Sequence, residues 1–308
     1  MALQPSPTAQ AHLSVRPATP DDRDQLSRFT YSAPHLHRHL DWRPALDWIG
    51  QRPFWILEGE GTILGALACP RDPQPIAWIR LFSFGPPLSG QETWHWLWGR
   101  ASAELAASGG ATAAAIATQH WIEPLLVGQG FGRLDDIVVL SRDIRQADPI
   151  APPSGVRIAT MTSGDLQAAA EADAAAFDPL WRNSLEALSR AFLQASCASV
   201  AWDGSHVLGY QLSTASPLGT HLARLAVRPE AQRRGLGAAL VSDLISHIGD
   251  SGSFRLTVNT QARNAASLAL YRKLKFDLTG ERYPVFAADI PSQGMSPAGQ
   301  SAGGGNQV

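Results

Sequence analysis

Residues 222–240 read LARLAVRPEAQRRGLGAAL. Leu222 to Val227 is a short apolar run with strand character. Pro229 follows, then the basic turn Gln232-Arg233-Arg234-Gly235-Leu236-Gly237, and an apolar-periodic segment opens at Ala238. Strand, glycine-rich turn and helix start, in that order, build a cradle for phosphate. The first free N–H groups of the helix point at the anion and the helix dipole adds partial positive charge. The glycines let backbone approach a ligand with no Cβ in the way, and the two arginines bring charge for phosphate oxygens. The pattern is short, and an ordinary strand-loop-helix connection with a solvated basic turn carries the same letters.

Working outward, Leu240, Val241, Leu244, Ile245 and Ile248 recur at helical spacing, and the turn residues Gly249 to Gly252 end that helix. Phe254 to Val258 alternates as a second strand, so the unit is βαβ with parallel strands. The polar loop Asn259–Arg263 leads into a second helix, Asn264 to Leu274, with a basic last turn. Asn264, Leu268 and Tyr271 share one face of it. Asn264 reads equally as an N-cap, and Tyr271 as a core aromatic.

The pair LAVRPEAQRRGLGAAL and VNTQARNAASLALYRKLKF resembles the GNAT superfamily of acyl-CoA-dependent N-acyltransferases, over about residues 155–290. Within it the pattern is similar to bacterial protein N-terminal alanine acetyltransferases. The resemblance implies acetyl-CoA as acyl donor. It implies that the backbone of Leu225, Ala226 and Val227 pairs with the pantetheine arm like an added strand. It further implies that Gln232, Arg233, Arg234, Gly235, Leu236, Gly237 and Ala238 hold the pyrophosphate, that Asn264 contacts the cofactor arm, and that Tyr271 lies near the thioester sulfur as the catalytic acid. The implied reaction is direct attack by an amine in a ternary complex, with the oxyanion on a backbone N–H near Val227. Those relatives carry a Glu base in the strand before the Asn-containing helix; the matching position here is Thr257, which cannot serve as a carboxylate. A water held by Thr257 or Asn259, Asp178, and Tyr283 are the remaining base candidates.

The architecture occurs twice. Ser14–Thr19 echoes Gly155–Thr160, the hairpin Trp55–Gly65 echoes Val200–Gly209, and Gly130-Phe131 echoes Lys275-Phe276. The loop equivalent to 232–237 is Leu88-Ser89-Gly90-Gln91-Glu92-Thr93, without arginine or paired glycines, and the positions equivalent to Asn264 and Tyr271 are Gln119 and Leu126. The first half therefore reads as a copy that kept the fold and lost the site. The expected fold is α+β: two tandem GNAT-like domains, each a mixed, mostly antiparallel sheet with a parallel βαβ cofactor unit flanked by helices. The expected order is a flexible N-terminus (1–12), a degenerate domain (13–146), a linker (147–154), a catalytic domain (155–290) and a disordered tail (291–308).

With 308 residues and a formal net charge of −2, the chain has the size for two domains and no general nucleic-acid character. No apolar run suits a membrane span; no membrane partner and a cytoplasmic setting are expected. Cys69 and Cys197 read as buried thiols in a reducing compartment. His35, His37 and His39 alternate in a stretch that looks helical or irregular, and no metal is expected. Trp94, Trp96 and Trp98 read as packing residues. The expected partner is a small-molecule amine or a peptide N-terminus, with the chain a monomer or homodimer. A non-catalytic acyl-CoA-binding regulator, needing the loop and Asn264 but not Tyr271, and a tandem enzyme of the mycothiol-synthase kind remain open beside the acetyltransferase reading.

Overall fold

The computed structural model describes residues 13–144, 149–249 and 254–293. The expected flexible start, residues 147–148 of the expected linker, and the tail from 294 onward lie outside the described residues. The first half contains β1 (Leu13–Pro17), α1 (Arg23–Ser32), β2 (His35–Arg38), β3 (Phe54–Gly59), β4 (Thr62–Ala68), β5 (Ile76–Trp78), β6 (Leu81–Phe84), α2 (Gly90–Ala107), β7 (Ala111–Ile116), α3 (Glu123–Gly128) and β8 (Gly132–Asp143). The second contains β9 (Val156–Thr160), α4 (Leu166–Ala176), α5 (Leu185–Gln194), β10 (Cys197–Asp203), β11 (His206–Ser216), β12 (Gly219–Val227), α6 (Leu236–Gly249), β13 (Arg255–Gln261), α7 (Ala265–Lys273) and β14 (Asp277–Ile290).

The repetition extends to local chemistry. The first helix of each half is entered through the same turn: Asp22 accepts the Thr19 backbone N–H at 2.7 Å, and Asp165 accepts that of Thr162 at 2.7 Å. These carboxylates satisfy donors that a helix start would otherwise leave bare. Each following hairpin carries a bulge: Leu64 of β4 is the extra residue opposite Leu57 and Glu58 of β3, and Leu208 of β11 is that opposite Ala201 and Trp202 of β10.

A five-stranded sheet runs β1-β3-β4-β6-β2 and a nine-stranded sheet β5-β7-β14-β8-β13-β12-β11-β10-β9. The mixed two-repeat architecture thus holds, with an exchange that the sequence did not reveal. β8, the last strand of the first half, lies between β13 and β14 of the second; β14 lies between β7 and β8 of the first. Each repeat uses the other's last strand to cover an edge that would otherwise stay unpaired. The buried side chains of Val138 and Leu140 on β8 accordingly join the core of α6, β13 and α7.

The expected βαβ unit forms. β12 and β13 are parallel, with Thr220 to Leu222 opposite Leu256 to Val258, and α6 buries Ala238, Val241, Leu244, Ile245 and Ile248 against them. The strand expected from Phe254 starts at Arg255, Phe254 itself being exposed. His35 to His37, expected in a helical or irregular stretch, form part of strand β2, which pairs antiparallel with β6. Trp94 and Trp98 are buried in the first-half core; Trp96 is largely exposed.

Candidate active site

β12 lies between β11 and β13 but stays with β13 only as far as Leu222 and Val258. The register against β11 then jumps, from Ser213 opposite Leu222 to Leu212 opposite Arg224, leaving Ala223 as an extra residue. A bulge of this kind bends a strand and ends pairing on one side. Beyond it, Leu225, Ala226 and Val227 pair with Gln211, Tyr210 and Gly209 of β11, while Asn259 to Gln261 of β13 continue along β8. The two parallel strands splay, and the edge of β12 from Leu225 to Val227 opens inside the sheet.

The basic turn follows that edge. Gln232 Nε2 donates to the Val227 carbonyl at 2.9 Å, tying the turn to the strand end. Arg233 and Gly235 take left-handed backbone, φ 60° and 88°; a side chain at Gly235 would be strained there. Leu236 and Ala238 are buried and fix the first turn of α6, whereas Arg233 and Arg234 stand in solvent. The residue before α6 is Gly235, which has no side chain with which to cap that turn. A Cβ built on Gly237 would lie 3.2 Å from Leu270 Cδ2 and 3.8 Å from Val227 Cγ2, so α6, α7 and the end of β12 meet at this glycine.

At the other end of the edge is a cavity of about 450 Å³ between the two halves. Leu225, Asn264 and Tyr271 line it, together with Leu222, Ala223 and Arg224; the first half adds His39, Asp41, Trp78 and Arg80. Of the site residues expected from sequence, three therefore share this cavity. Ala226, Val227 and 232–238 do not line it; they continue the opened edge toward the α6 N-terminus. Asn264 is the N-cap of α7: its Oδ1 accepts the Ser267 N–H at 3.0 Å, and Nδ2 donates to Gln261 Oε1 at 3.4 Å. Tyr271 is buried with its ring against Phe276. Burial pushes its phenol above the ordinary range, with the Arg224 cation working against the shift, so the phenol is a proton donor at neutral pH.

The wall is held by ion pairs that sequence reading missed. Arg224 makes a bidentate contact with fully buried Asp173, at 2.7 and 2.8 Å, and donates to the Trp181 carbonyl at 2.7 Å. Its guanidinium lies 3.6 Å from the Phe177 ring centroid. Across the cavity, Arg80 meets Asp41 at 2.7 Å and donates to the Asp72 carbonyl. Both arginines sit where a strand breaks or bulges, Arg80 between β5 and β6 and Arg224 beside Ala223. A buried arginine is held in place by such pairing, because an unpaired one is costly.

The base candidates separate. Asn259 lines the cavity. Asp178 is exposed and is not part of the cavity wall. Tyr283 donates to Glu281 Oε2 at 2.9 Å and packs behind the cavity wall without lining it. Thr257 lies 2.9 Å from His221 Nδ1, and His221 lines the cavity. The sequence signal for His221 was its place in the strand of the decisive motif, but its meaning needed the register between β12 and β13. Among the described residues no group of three His, Cys, Asp or Glu is placed to hold a metal, and no helix is long and apolar enough to cross a membrane.

Residues 166–276 match the acetyltransferase (GNAT) family. The [ribosomal protein bS18]-alanine N-acetyltransferase of Escherichia coli is 43% identical over 56 residues, 18% of this chain and 38% of that protein. The match thus spans about two fifths of that relative's length. A mycothiol acetyltransferase of Catenulispora acidiphila is 25% identical over 181 residues, 53% of this chain and 54% of that protein. Among solved structures, a tandem GNAT protein from the clavulanic acid biosynthesis pathway superposes with a TM-score of 0.58 at 17% identity, covering 92% of this chain and 100% of its own. That likeness shows the fold: a tandem GNAT architecture across nearly the whole chain.

Proposed function

Starting from a GNAT domain at residues 166–276 in a chain with tandem GNAT architecture, we propose an acetyl-CoA-dependent N-acetyltransferase that acylates a primary amine of a small molecule or peptide N-terminus. The observation that carries this reading is the opened edge of β12, which runs from an uncapped, arginine-flanked helix start to a cavity lined by Asn264 and Tyr271. The pyrophosphate belongs at the first turn of α6 with Arg233 and Arg234. The pantetheine arm adds as a strand along Leu225 to Val227, and the thioester reaches the cavity. Because the cavity wall includes Ala223 to Leu225 rather than Val227, the oxyanion donor is a backbone N–H near the bulge. Tyr271 hydrogen-bonds the departing thiolate.

We further propose that residues 155–290 form the catalytic domain and 13–146 a degenerate copy, which supplies one wall of the acceptor cavity through His39, Asp41, Trp78 and Arg80. The acceptor therefore meets both halves.

The test is release of free thiol from acetyl-CoA with a panel of peptides and amines. Tyr271→Phe is expected to lower turnover about 100-fold and leave CoA affinity within about twofold by calorimetry. CoA binding without turnover, insensitive to this substitution, is the outcome that favours a non-catalytic acyl-CoA-binding protein. Equal loss of turnover and affinity assigns Tyr271 to packing.

A further inference from the structure

His221 lies on β12, on the far side of the Ala223 bulge from Leu225, and its mostly buried ring lines the interdomain cavity. The parallel register sets it opposite Thr257. Its Nδ1 is 2.9 Å from Thr257 Oγ1, and that hydroxyl is 3.3 Å from the Thr220 carbonyl oxygen. A carbonyl only accepts, so the arrangement that satisfies both contacts sends the single hydroxyl proton of Thr257 to Thr220 and takes an N–H from the ring at Nδ1. In that arrangement Nε2 is the basic nitrogen.

We propose that His221, held by Thr257, is the general base for the attacking amine; the proposal rests on the acetyltransferase reading above. Thr257, the position that resembles the family's glutamate, then acts as the positioning residue for a base on the neighbouring strand. Burial lowers the His221 pKa below its ordinary value, so the ring is neutral at pH 7. The charged and titratable groups around the same cavity are Arg224 on β12, Tyr271 on α7, Arg182 in the loop before α5, and His39, Asp41, Asp72 and Arg80 from the first half. Arg224 and Arg80 are paired to Asp173 and Asp41.

The chemistry balances without a metal or covalent intermediate. The amine nitrogen bonds to the thioester carbonyl carbon, Nε2 takes the proton the nitrogen loses, and the C–S bond breaks as the carbonyl re-forms. The thiolate leaves against the Tyr271 hydroxyl and takes a proton from water, and the imidazolium returns its proton to water. The amine attacks in its neutral form, and the imidazole takes the proton that the nitrogen loses as the C–N bond forms.

The experiment uses the full chain with acetyl-CoA and two probe sets: alanyl, seryl and glycyl dipeptides, and the side-chain amines putrescine and Nα-acetyl-lysine amide. Thiol release and product mass are followed from pH 5 to 9. Transfer is expected to at least one of the two probe sets. The catalytic form is neutral His221, so the rate is lost as pH falls through a value below about 6.5, on a limb separate from the amine's own. His221→Gln and His221→Ala are expected to lower kcat about 100-fold or more, to abolish the lower limb and to keep acetyl-CoA affinity within about twofold; imidazole restores part of the rate in His221→Ala. Thr257→Val is expected to move the lower limb with a smaller loss of kcat. Wild-type kcat and an unchanged lower limb in His221→Gln overturn the base assignment and leave the transfer reading standing. Acetyl-CoA binding with no transfer to either set overturns the base and the transfer reading together.

Discussion

At the start of α2, Ser89 Oγ accepts the Glu92 N–H at 3.2 Å and the Glu92 carboxylate accepts the Ser89 N–H at 2.9 Å. At the start of α6, the same place in the other repeat, the turn offers Arg233, Arg234 and left-handed Gly235 instead of a capping side chain. The strand edges differ in the same sense. β6 meets β4 as β12 meets β11, with Phe84 opposite Gly65 and Val227 opposite Gly209. The outer edge of β6 is covered by β2, from His35 opposite Phe84 to Arg38 opposite Leu81, whereas that of β12 beyond the bulge is open. In the first half a carboxylate from the chain sits at the equivalent of the proposed pyrophosphate site, and a strand from the chain lies at the equivalent of the proposed pantetheine edge. The Phe84 ring also presses on Gly90, 2.7 Å from where a Cβ would stand. Buried His37, its pKa pushed down to about 4 by burial, stays neutral within that covering strand. The scaffold is shared; what differs is whether the chain fills the groove proposed to hold the ligand.

The largest expected effect comes from closing the open half. Gly237→Glu places a side chain against Leu270 and Val227 and a negative charge beside the proposed pyrophosphate. CoA affinity by calorimetry is expected to fall more than 100-fold, about 3 kcal/mol. The matched change on exposed Gln91 in α2, Gln91→Glu, is expected to leave affinity unchanged. Full affinity in Gly237→Glu would break the assignment of the groove to the second half.

Most of the second half was legible in the sequence, because its elements are short-range. The apolar run of β12, the glycines of the turn and the spacing of Leu240 to Ile248 each report local geometry. The repeat was legible for the same reason, through Gly65 and Gly209 in equivalent hairpins. The exchange of β8 and β14 was not, since the alternation along a strand says which face is buried and nothing about which strand lies beside it. β2 escaped for a related reason: its strand geometry comes from pairing with β6, and Pro-His-Leu-His-Arg-His has no strong strand propensity. At the site, Thr257 registered as a missing carboxylate, and only the parallel register sets it against His221.

A middle-sized effect tests the arginines. Both are exposed, so their contribution to anion binding is screened by salt. Arg233→Gly with Arg234→Ala, the glycine keeping the left-handed backbone without strain, is expected to weaken CoA binding about tenfold at low salt. The loss should shrink as ionic strength rises. A salt-independent loss would mean that the turn itself had been deformed and that charge is not what distinguishes the two helix starts.

The smallest effect is expected where the groove is already filled. Ser89→Ala removes the hydroxyl that caps α2 and should cost about 1 kcal/mol of stability, the usual range for an N-cap, read from denaturant unfolding. It uncovers donors at a helix start without uncovering a site. β2 still covers the β6 edge, Phe84 still lies on Gly90, and no arginine stands between Leu88 and Thr93. Calorimetry should therefore still find one CoA per chain with unchanged affinity. A second equivalent bound by Ser89→Ala would show that the cap alone keeps the first half closed. The difference between the halves would then rest on one hydroxyl rather than on a groove filled along its length.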